Sequence, residues 1–284
     1  MNLIQRAKKF RTKKHLGQNF LTDSNAVNSI ISAANITPDD TVLEIGAGIG
    51  FMTEHIAKYA KKVYAVEIDT YAIKELQKLP FKNIEIIEKD ILKTDISQYK
   101  TDKPLKIIAN IPYYITSPIL AHLLGEIDDT DNKNRSAVSE IFLMVQLEVA
   151  NRIVADSKSK NKEYGLLSIL CNFNADTEFL LKVPSGSFYP APKVDSAVVK
   201  ITPSVKSKYN PQNITMLKKI LKAAFQTRRK TLKNSLSIGG FEKEIINKVF
   251  NNLNLSDTIR GETLSIEDFC NLSNEFDTQK KEGF

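Results

Sequence analysis

The chain has 284 residues, 42% of them hydrophobic and 26% charged, which is ordinary for a folded globular protein and long enough for one large domain and a smaller one. No run of about 18 apolar residues occurs, so a membrane-spanning helix is excluded and no membrane partner is expected. Cys171 and Cys270 stand far apart, and His15, His55 and His122 are scattered without CxxC or HxxxH spacing. Neither a disulfide framework nor a metal site is therefore expected, and a reducing, cytoplasmic compartment is.

The net charge of +7 is unevenly placed. Residues 1–22 carry six basic side chains, among them Lys13 and Lys14, and no acid. Residues 196–241 carry ten, among them Arg228, Arg229, Lys230 and Lys233, again with no acid. The rest of the chain is acidic on balance. Two purely basic stretches in an acidic chain point to a polyanionic partner, because solvated surfaces usually mix the two signs. A basic, acid-poor N-terminus also suits an organelle transit peptide. Here it runs into His15-Leu16-Gly17-Gln18-Asn19-Phe20-Leu21, which lacks the Ser-rich pattern of such peptides.

In chain order, Ser24 to Asn35 predicts a helix capped by Asp23 or Ser24. Strands are expected at Thr41–Ile45, Lys62–Glu67, Ile84–Ile87, Leu105–Ala109 and Glu140–Val145. Helices separate them at Phe51–Tyr59 and Tyr71–Leu79, and the last strand enters a helix running through Ala155. This alternation implies a mostly parallel sheet covered on both faces. Ala197–Ile201 follows the extended run Phe179–Val183, which suggests an antiparallel edge pair. The polar, proline-bounded stretch from Thr202 to Pro211 reads as a linker. Helices are expected beyond it at Ile214–Phe225, Lys230–Leu236, Glu242–Phe250 and Ile266–Asn274. Asp128–Arg135 and Asp156–Lys162 read as polar surface loops. The expected domains are 1–204, an α/β Rossmann-like unit with a basic N-terminal segment, and 205–284, a helical nucleic-acid-binding unit.

Three successive strand ends carry a cofactor-type constellation. Gly46-Ala47-Gly48-Ile49-Gly50 follows the first strand, where glycines allow a tight turn and close approach of a ligand. Glu67 closes the second strand, 21 residues after Gly46, placed to accept hydrogen bonds from ribose hydroxyls. Asp90 follows the third and offers an acceptor to an adenine amino group. Both NAD and S-adenosylmethionine present such a nucleoside. The third glycine of the dinucleotide fingerprint would fall at residue 51, which is Phe, and this favours the phosphate-free S-adenosylmethionine.

Asn110-Ile111-Pro112-Tyr113 follows the fourth strand. An exocyclic adenine amine is a poor nucleophile because its lone pair is delocalised into the ring. Acceptors on its two N–H bonds, the Asn110 side-chain oxygen and the Ile111 carbonyl, would localise that pair. Pro112 stiffens the turn, and Tyr113 offers a face for the base. Placed after the three cofactor-type strand ends, the tetrapeptide reads as a reaction site in which geometry rather than a strong base does most of the work. A paired base would have to be flipped out to reach it. Phe188, on the loop Ser187-Phe188-Tyr189-Pro190-Ala191-Pro192, fits equally a second stacking face or simple packing of that loop.

His15 to Leu21, Glu44-Ile45-Gly46-Ala47-Gly48, Asn110 to Tyr113, Phe188 to Ser196 and Phe225-Gln226-Thr227-Arg228-Arg229-Lys230-Thr231-Leu232 together resemble the ribosomal RNA adenine dimethyltransferases, in family order over about residues 10–240. The resemblance implies a Rossmann-like methyltransferase domain, a small helical C-terminal domain and S-adenosylmethionine as methyl donor. It adds Asn19 and Leu21 as cofactor contacts and supports Gly46, Gly48, Glu67, Asp90 and Asn110. It also favours base stacking for Phe188. Arg228 to Leu236 is similar to the branch that dimethylates two adjacent adenosines in the 3′-terminal hairpin of small-subunit rRNA. The implied partner is then the immature 30S particle, met by a monomer. The other branch, which dimethylates large-subunit rRNA and confers macrolide resistance, and a non-catalytic rRNA-binding assembly factor are the alternatives. Ala47 and Ile111 depart mildly from the family pattern, which often has Pro and Leu there.

Overall fold

The computed structural model describes residues 3–10, 12–13, 16–159, 163–204, 206–227 and 229–282. Of the candidate residues, Lys14 and Arg228 lie outside these. The chain forms two compact units: Met1–Leu124, Asn132–Asn151 and Ala175–Val205 make the larger, and Gly125–Asp131, Arg152–Asn174 and Lys206–Phe284 the smaller.

The chain opens with α1 (Leu3–Lys9), β1 (Phe20–Leu21), α2 (Ser24–Ala34), β2 (Thr41–Ile45), α3 (Phe51–Ala57), β3 (Lys62–Glu67), α4 (Thr70–Leu76), β4 (Ile84–Glu88) and β5 (Leu105–Asn110). It continues through α5 (Thr116–Leu124), α6 (Lys133–Ala137), β6 (Val138–Gln146), α7 (Leu147–Val154), α8 (Leu166–Asn174), β7 (Ala175–Val183), β8 (Phe188–Tyr189) and β9 (Ser196–Pro203). Last come α9 (Ile214–Gln226), α10 (Leu232–Ile238), α11 (Lys243–Asn252) and α12 (Ile266–Glu282).

Seven strands form one sheet in the order β4-β3-β2-β5-β6-β9-β7. The β4, β3, β2, β5 and β6 strands are mutually parallel, and β9 runs antiparallel to both β6 and β7. Every residue of β2 is buried, which is why Thr41–Ile45 reads as an apolar run rather than an alternation. The expected antiparallel pair is present, with β7 at the edge and β9 inside it. The chain order reverses between the neighbours β2 and β5, which opens a crevice beyond their carboxyl ends. Asp23 caps α2 by accepting from the Asn25 and Ala26 N–H groups at 2.9 and 3.4 Å.

The smaller unit is helical. Its core joins Leu217, Ile220, Phe250, Phe269 and Phe276 to Ile127, Ala155, Ile169 and Phe173. These last four explain why 125–131 and 152–174 belong to it, although the sequence alone groups them with the larger unit. Cys171 and Cys270 are both buried free thiols in this unit, and burial raises them to about 12 and about 11.

The stretch Asp128–Arg135 is the expected polar surface loop as far as Asn132, but its end enters α6 and buries Asn134 and Arg135. Asn132 caps α6 by accepting from the Arg135 N–H at 2.7 Å. Asn134 is buried: it accepts from the Ile96 N–H at 3.1 Å and donates to the His122 carbonyl at 3.1 Å. The buried Arg135 guanidinium donates to the Leu124 carbonyl at 3.1 Å. Polar side chains are used here to satisfy backbone groups of neighbouring segments, which composition cannot distinguish from solvation.

Candidate active site

A cavity of about 260 Å³ lies at the carboxyl ends of the central strands, wholly within the larger unit. Asn19, Leu21, Gly46, Gly48, Glu67, Asp90, Asn110, Ile111, Pro112 and Tyr113 all line it. Residues separated by up to 94 positions in sequence are thus brought to one place by the strand order.

The turn after β2 requires its glycines. Gly46 has φ 74°, and a Cβ there would lie 3.1 Å from the Asn110 carbonyl oxygen. Gly48 has φ 55°, and its Cβ would lie 2.9 Å from the Phe20 ring. The first glycine therefore lets the cofactor-type turn close against the end of β5. Gly46 and Ala47 N–H groups donate to the Val66 carbonyl at 3.0 and 3.2 Å, fixing the turn on β3.

Glu67 is more heavily engaged than its sequence position suggests. Its Oε2 accepts from the Gly48 N–H at 2.7 Å, and its Oε1 accepts from Ile68 and Asp69 N–H groups at 2.8 Å each. A carboxylate has about four acceptor positions, so roughly one is left for a ligand. Asp90 accepts from the Leu92 N–H at 3.0 Å, which leaves it spare capacity at the cavity wall.

At the end of β5, Asn110 Nδ2 donates to the Asn19 carbonyl at 3.3 Å, so its Oδ1 is left to accept. Ile111 is buried. The half-buried Tyr113 hydroxyl is 2.7 Å from Ser196 Oγ, and burial raises its phenol above the ordinary value. Its ring is held by that bond, while Tyr114 at the cavity lip is 65% exposed.

Phe188 does not line the cavity. It is 4% exposed and sits in an apolar cluster with Leu21, Met52, Val183 and Val198. Of the two roles its loop suggested, packing is the one this arrangement provides. The cause is backbone pairing: β8 joins β1 antiparallel, with Leu21 opposite Phe188.

The basic candidates divide. Lys13 is not a free surface cation: its Nζ is 2.7 Å from Asp69 Oδ1 and 4.7 Å from the Tyr71 ring centroid. Lys233 pairs with Asp257 at 2.8 Å. Arg229 and Lys230 are exposed. Sequence reasoning missed Asp69, whose only signal was its place before the helix start at Thr70. It also missed Glu44, a carboxyl on fully buried β2 with an unpartnered Oε2. Burial pushes Glu44 up to about 8, the nearby Glu67 charge acting in the same direction and Thr53 against it.

The sequence profile of the ribosomal RNA adenine dimethylase family matches residues 9–278. The chain is 42% identical over 275 residues to the ribosomal RNA small subunit methyltransferase A of Alkaliphilus metalliredigens, covering 94% of this chain and 92% of the relative. It is 42% identical over 277 residues to the protein of the same name from Clostridioides difficile, covering 95% and 92%. A crystal structure of a dimethyladenosine transferase from Plasmodium falciparum superposes with a TM-score of 0.74 at 28% identity, over 92% of this chain and 98% of that one. With the site's geometry these matches agree: the chain belongs to the ribosomal RNA adenine dimethylase family.

Proposed function

We propose that this chain transfers methyl groups from S-adenosylmethionine to the N6 amine of two adjacent adenosines in the 3′-terminal hairpin of small-subunit rRNA. It does so as a cytoplasmic monomer acting on the immature 30S particle. The observation that carries this reading is the convergence of Gly46, Glu67, Asp90 and Asn110 on one cavity in a member of the adenine dimethylase family. The curated relatives are named for the small subunit, which favours that substrate over large-subunit rRNA.

The residues fit the methyl donor. The glycine turn leaves the cavity open beside Gly46 and Gly48, Glu67 keeps an acceptor position for a ribose hydroxyl, and Asp90 keeps one for the adenine amino group. Asn19 and Leu21 close the cavity from the N-terminal side. When bound, S-adenosylmethionine supplies a methyl group already activated by a positive sulfur.

The protein's task is then to hold and sharpen the amine. Asn110 Oδ1 and the Ile111 carbonyl accept from the two N6–H bonds, which localises the nitrogen lone pair along the direction of attack. Tyr113, fixed by Ser196, offers its face to the flipped base. For Phe188 to stack as well, its loop would have to withdraw it from the apolar cluster it occupies. Arg229 and Lys230 of the smaller unit, with Lys14 and Arg228, serve phosphates of the RNA.

Transfer of labelled methyl from S-adenosylmethionine to undermethylated 30S particles tests the reading. Incorporation into small-subunit adenosines supports it. Incorporation into large-subunit RNA alone would transfer the chain to the resistance branch, and absence of cofactor binding would leave a non-catalytic assembly factor.

A further inference from the structure

The segment from Leu16 to Leu21 lines the cavity and is fastened at both ends. At one end β1 pairs with β8. At the other, Asp69, which is 1% exposed, receives Lys13 Nζ and Gln18 Nε2 at 2.7 Å each and the Tyr71 N–H at 3.0 Å. Gln18 Oε1 in turn accepts from the Lys13 N–H at 2.8 Å, so the strap and the carboxylate close a ring of hydrogen bonds. Burial alone would raise the Asp69 carboxyl, but the donors from Lys13, Gln18 and Tyr71, with the Lys13 charge, hold it below the usual carboxylate value. Asp69 is also tied to the cofactor side of the cavity, since its N–H donates to Glu67 Oε1 at 2.8 Å.

Between the two fastenings the strap meets the reaction loop. Gly17 packs on Pro112, close enough that a Cβ at Gly17 would lie 3.0 Å from Pro112 Cβ. The next residue but one presents its carbonyl to Asn110: Asn19 O accepts from Asn110 Nδ2 at 3.3 Å. A terminal amide has two orientations that differ only in exchanging N and O. The Asn19 carbonyl favours the one in which nitrogen faces the strap and oxygen is left for the substrate amine. The reverse orientation would turn an N–H₂ donor toward the amine's own N–H bonds.

We propose that Asp69 is a positioning residue, latching the Leu16–Leu21 strap through Gln18 and Lys13 so that the Asn19 carbonyl holds the Asn110 amide with Oδ1 presented to the substrate amine. This rests on the adenine N6 reading of the cavity. Loosening the latch weakens the roof over the cofactor and, separately, randomises the Asn110 amide. Asp69 touches neither substrate nor reacting atoms in this account.

The test compares the wild-type chain with Asp69→Asn, Lys13→Met and Lys13→Arg, using labelled S-adenosylmethionine and undermethylated 30S particles, with S-adenosylhomocysteine titrated by calorimetry. Asp69→Asn and Lys13→Met should lower kcat at saturating cofactor about tenfold, the size expected for losing one oriented hydrogen bond, with KM for the 30S particle within about twofold of wild type. Their dissociation constants for S-adenosylhomocysteine should rise several-fold, and amide exchange should speed up in residues 16–21 but not in β2 or β5. Lys13→Arg, which keeps the cation, should restore most of the kcat. Asp69→Asn should add little to Asn110→Asp, whose two carboxylate oxygens are equivalent whichever way the group turns. An Asp69→Asn enzyme with wild-type kcat, or with unchanged exchange across residues 16–21, overturns the latch. If wild type itself binds S-adenosylhomocysteine but transfers no methyl to 30S adenosines, it is the function that fails. The exchange and calorimetric readouts still judge whether Asp69 fastens the strap.

Discussion

Replacing Glu67 by Gln exchanges one carboxylate oxygen for an NH2 group and should weaken both the fold around the cavity and the hold on the cofactor. Glu67 is 8% exposed and accepts three backbone N–H groups, two on Oε1 and one on Oε2. Glutamine has one oxygen. Set where it serves Ile68 and Asp69, it turns an amide N–H₂ against the Gly48 N–H, which then has no acceptor. Leaving a buried donor unpaired costs about 1–3 kcal/mol, and weakening charge-assisted bonds to neutral ones adds to it, so a total of about 2–4 kcal/mol is expected. For a unit of this size, about 2 kcal/mol lowers Tm by roughly 4–8 °C. Because the strained group is Gly48, part of the turn beside the cofactor, S-adenosylmethionine binding should weaken by about 100-fold, or about 2.7 kcal/mol. Scanning calorimetry and isothermal titration of the same preparation read both quantities. A Glu67→Gln chain with wild-type Tm and wild-type affinity would refute the reasoning, since it would mean that none of the three backbone bonds is worth its geometry.

Three other outcomes follow from the same structure. Glu44 holds its proton up to about pH 8 in the folded chain against a reference of 4.5, so the native state binds a proton that the unfolded chain has released across that interval. Stability must therefore fall as pH rises through it, by at most about 1.4 kcal/mol per pH unit, and Glu44→Gln should flatten that decline in urea midpoints measured from about pH 5 to pH 8. Parallel slopes in the two proteins would contradict it. Phe188→Ala should destabilise the chain by about 3–5 kcal/mol in denaturant titrations, because the ring is buried in a packed cluster; a loss under about 1 kcal/mol would mean the ring is free. Reversing charge at both Arg229 and Lys230 should weaken binding to small-subunit rRNA and reduce the slope of log affinity against log salt by about 2, whereas an unchanged slope would place the phosphates elsewhere.

The parts of the site that the chain displays in sequence are those that sit at strand ends. Apolar runs mark β2, β3, β4 and β5, and in a parallel sheet their carboxyl ends share one edge, so the sequence itself groups Gly46, Glu67, Asp90 and Asn110. What remained hidden depends on partners chosen by the fold. Lys13 reads as one of six cations in a basic segment, and only the folded chain puts it against Asp69, 56 residues away. Glu67 reads as a free ribose acceptor because its three donors are backbone groups, which every residue carries. Phe188 reads as a candidate stacking face because its place opposite Leu21 is set by a two-residue strand pair. The α5 and α8 helices are not legible in the sequence: Ile119 to Leu124 and Leu166 to Cys171 are nearly continuous apolar runs, in which the helical period is masked. Asn134 and Arg135 read as solvated residues, but they are consumed by backbone groups of neighbouring segments.

The central claim is that Asn110 accepts from the amine that receives the methyl group. The most direct measurement is single-turnover methyl transfer from labelled S-adenosylmethionine to undermethylated 30S particles by wild type and Asn110→Ala, with cofactor binding measured on both. The account predicts that Asn110→Ala still binds S-adenosylmethionine within about tenfold of wild type while the rate of transfer to the small-subunit adenosines falls by at least about 100-fold. Transfer by Asn110→Ala at the wild-type rate would contradict it.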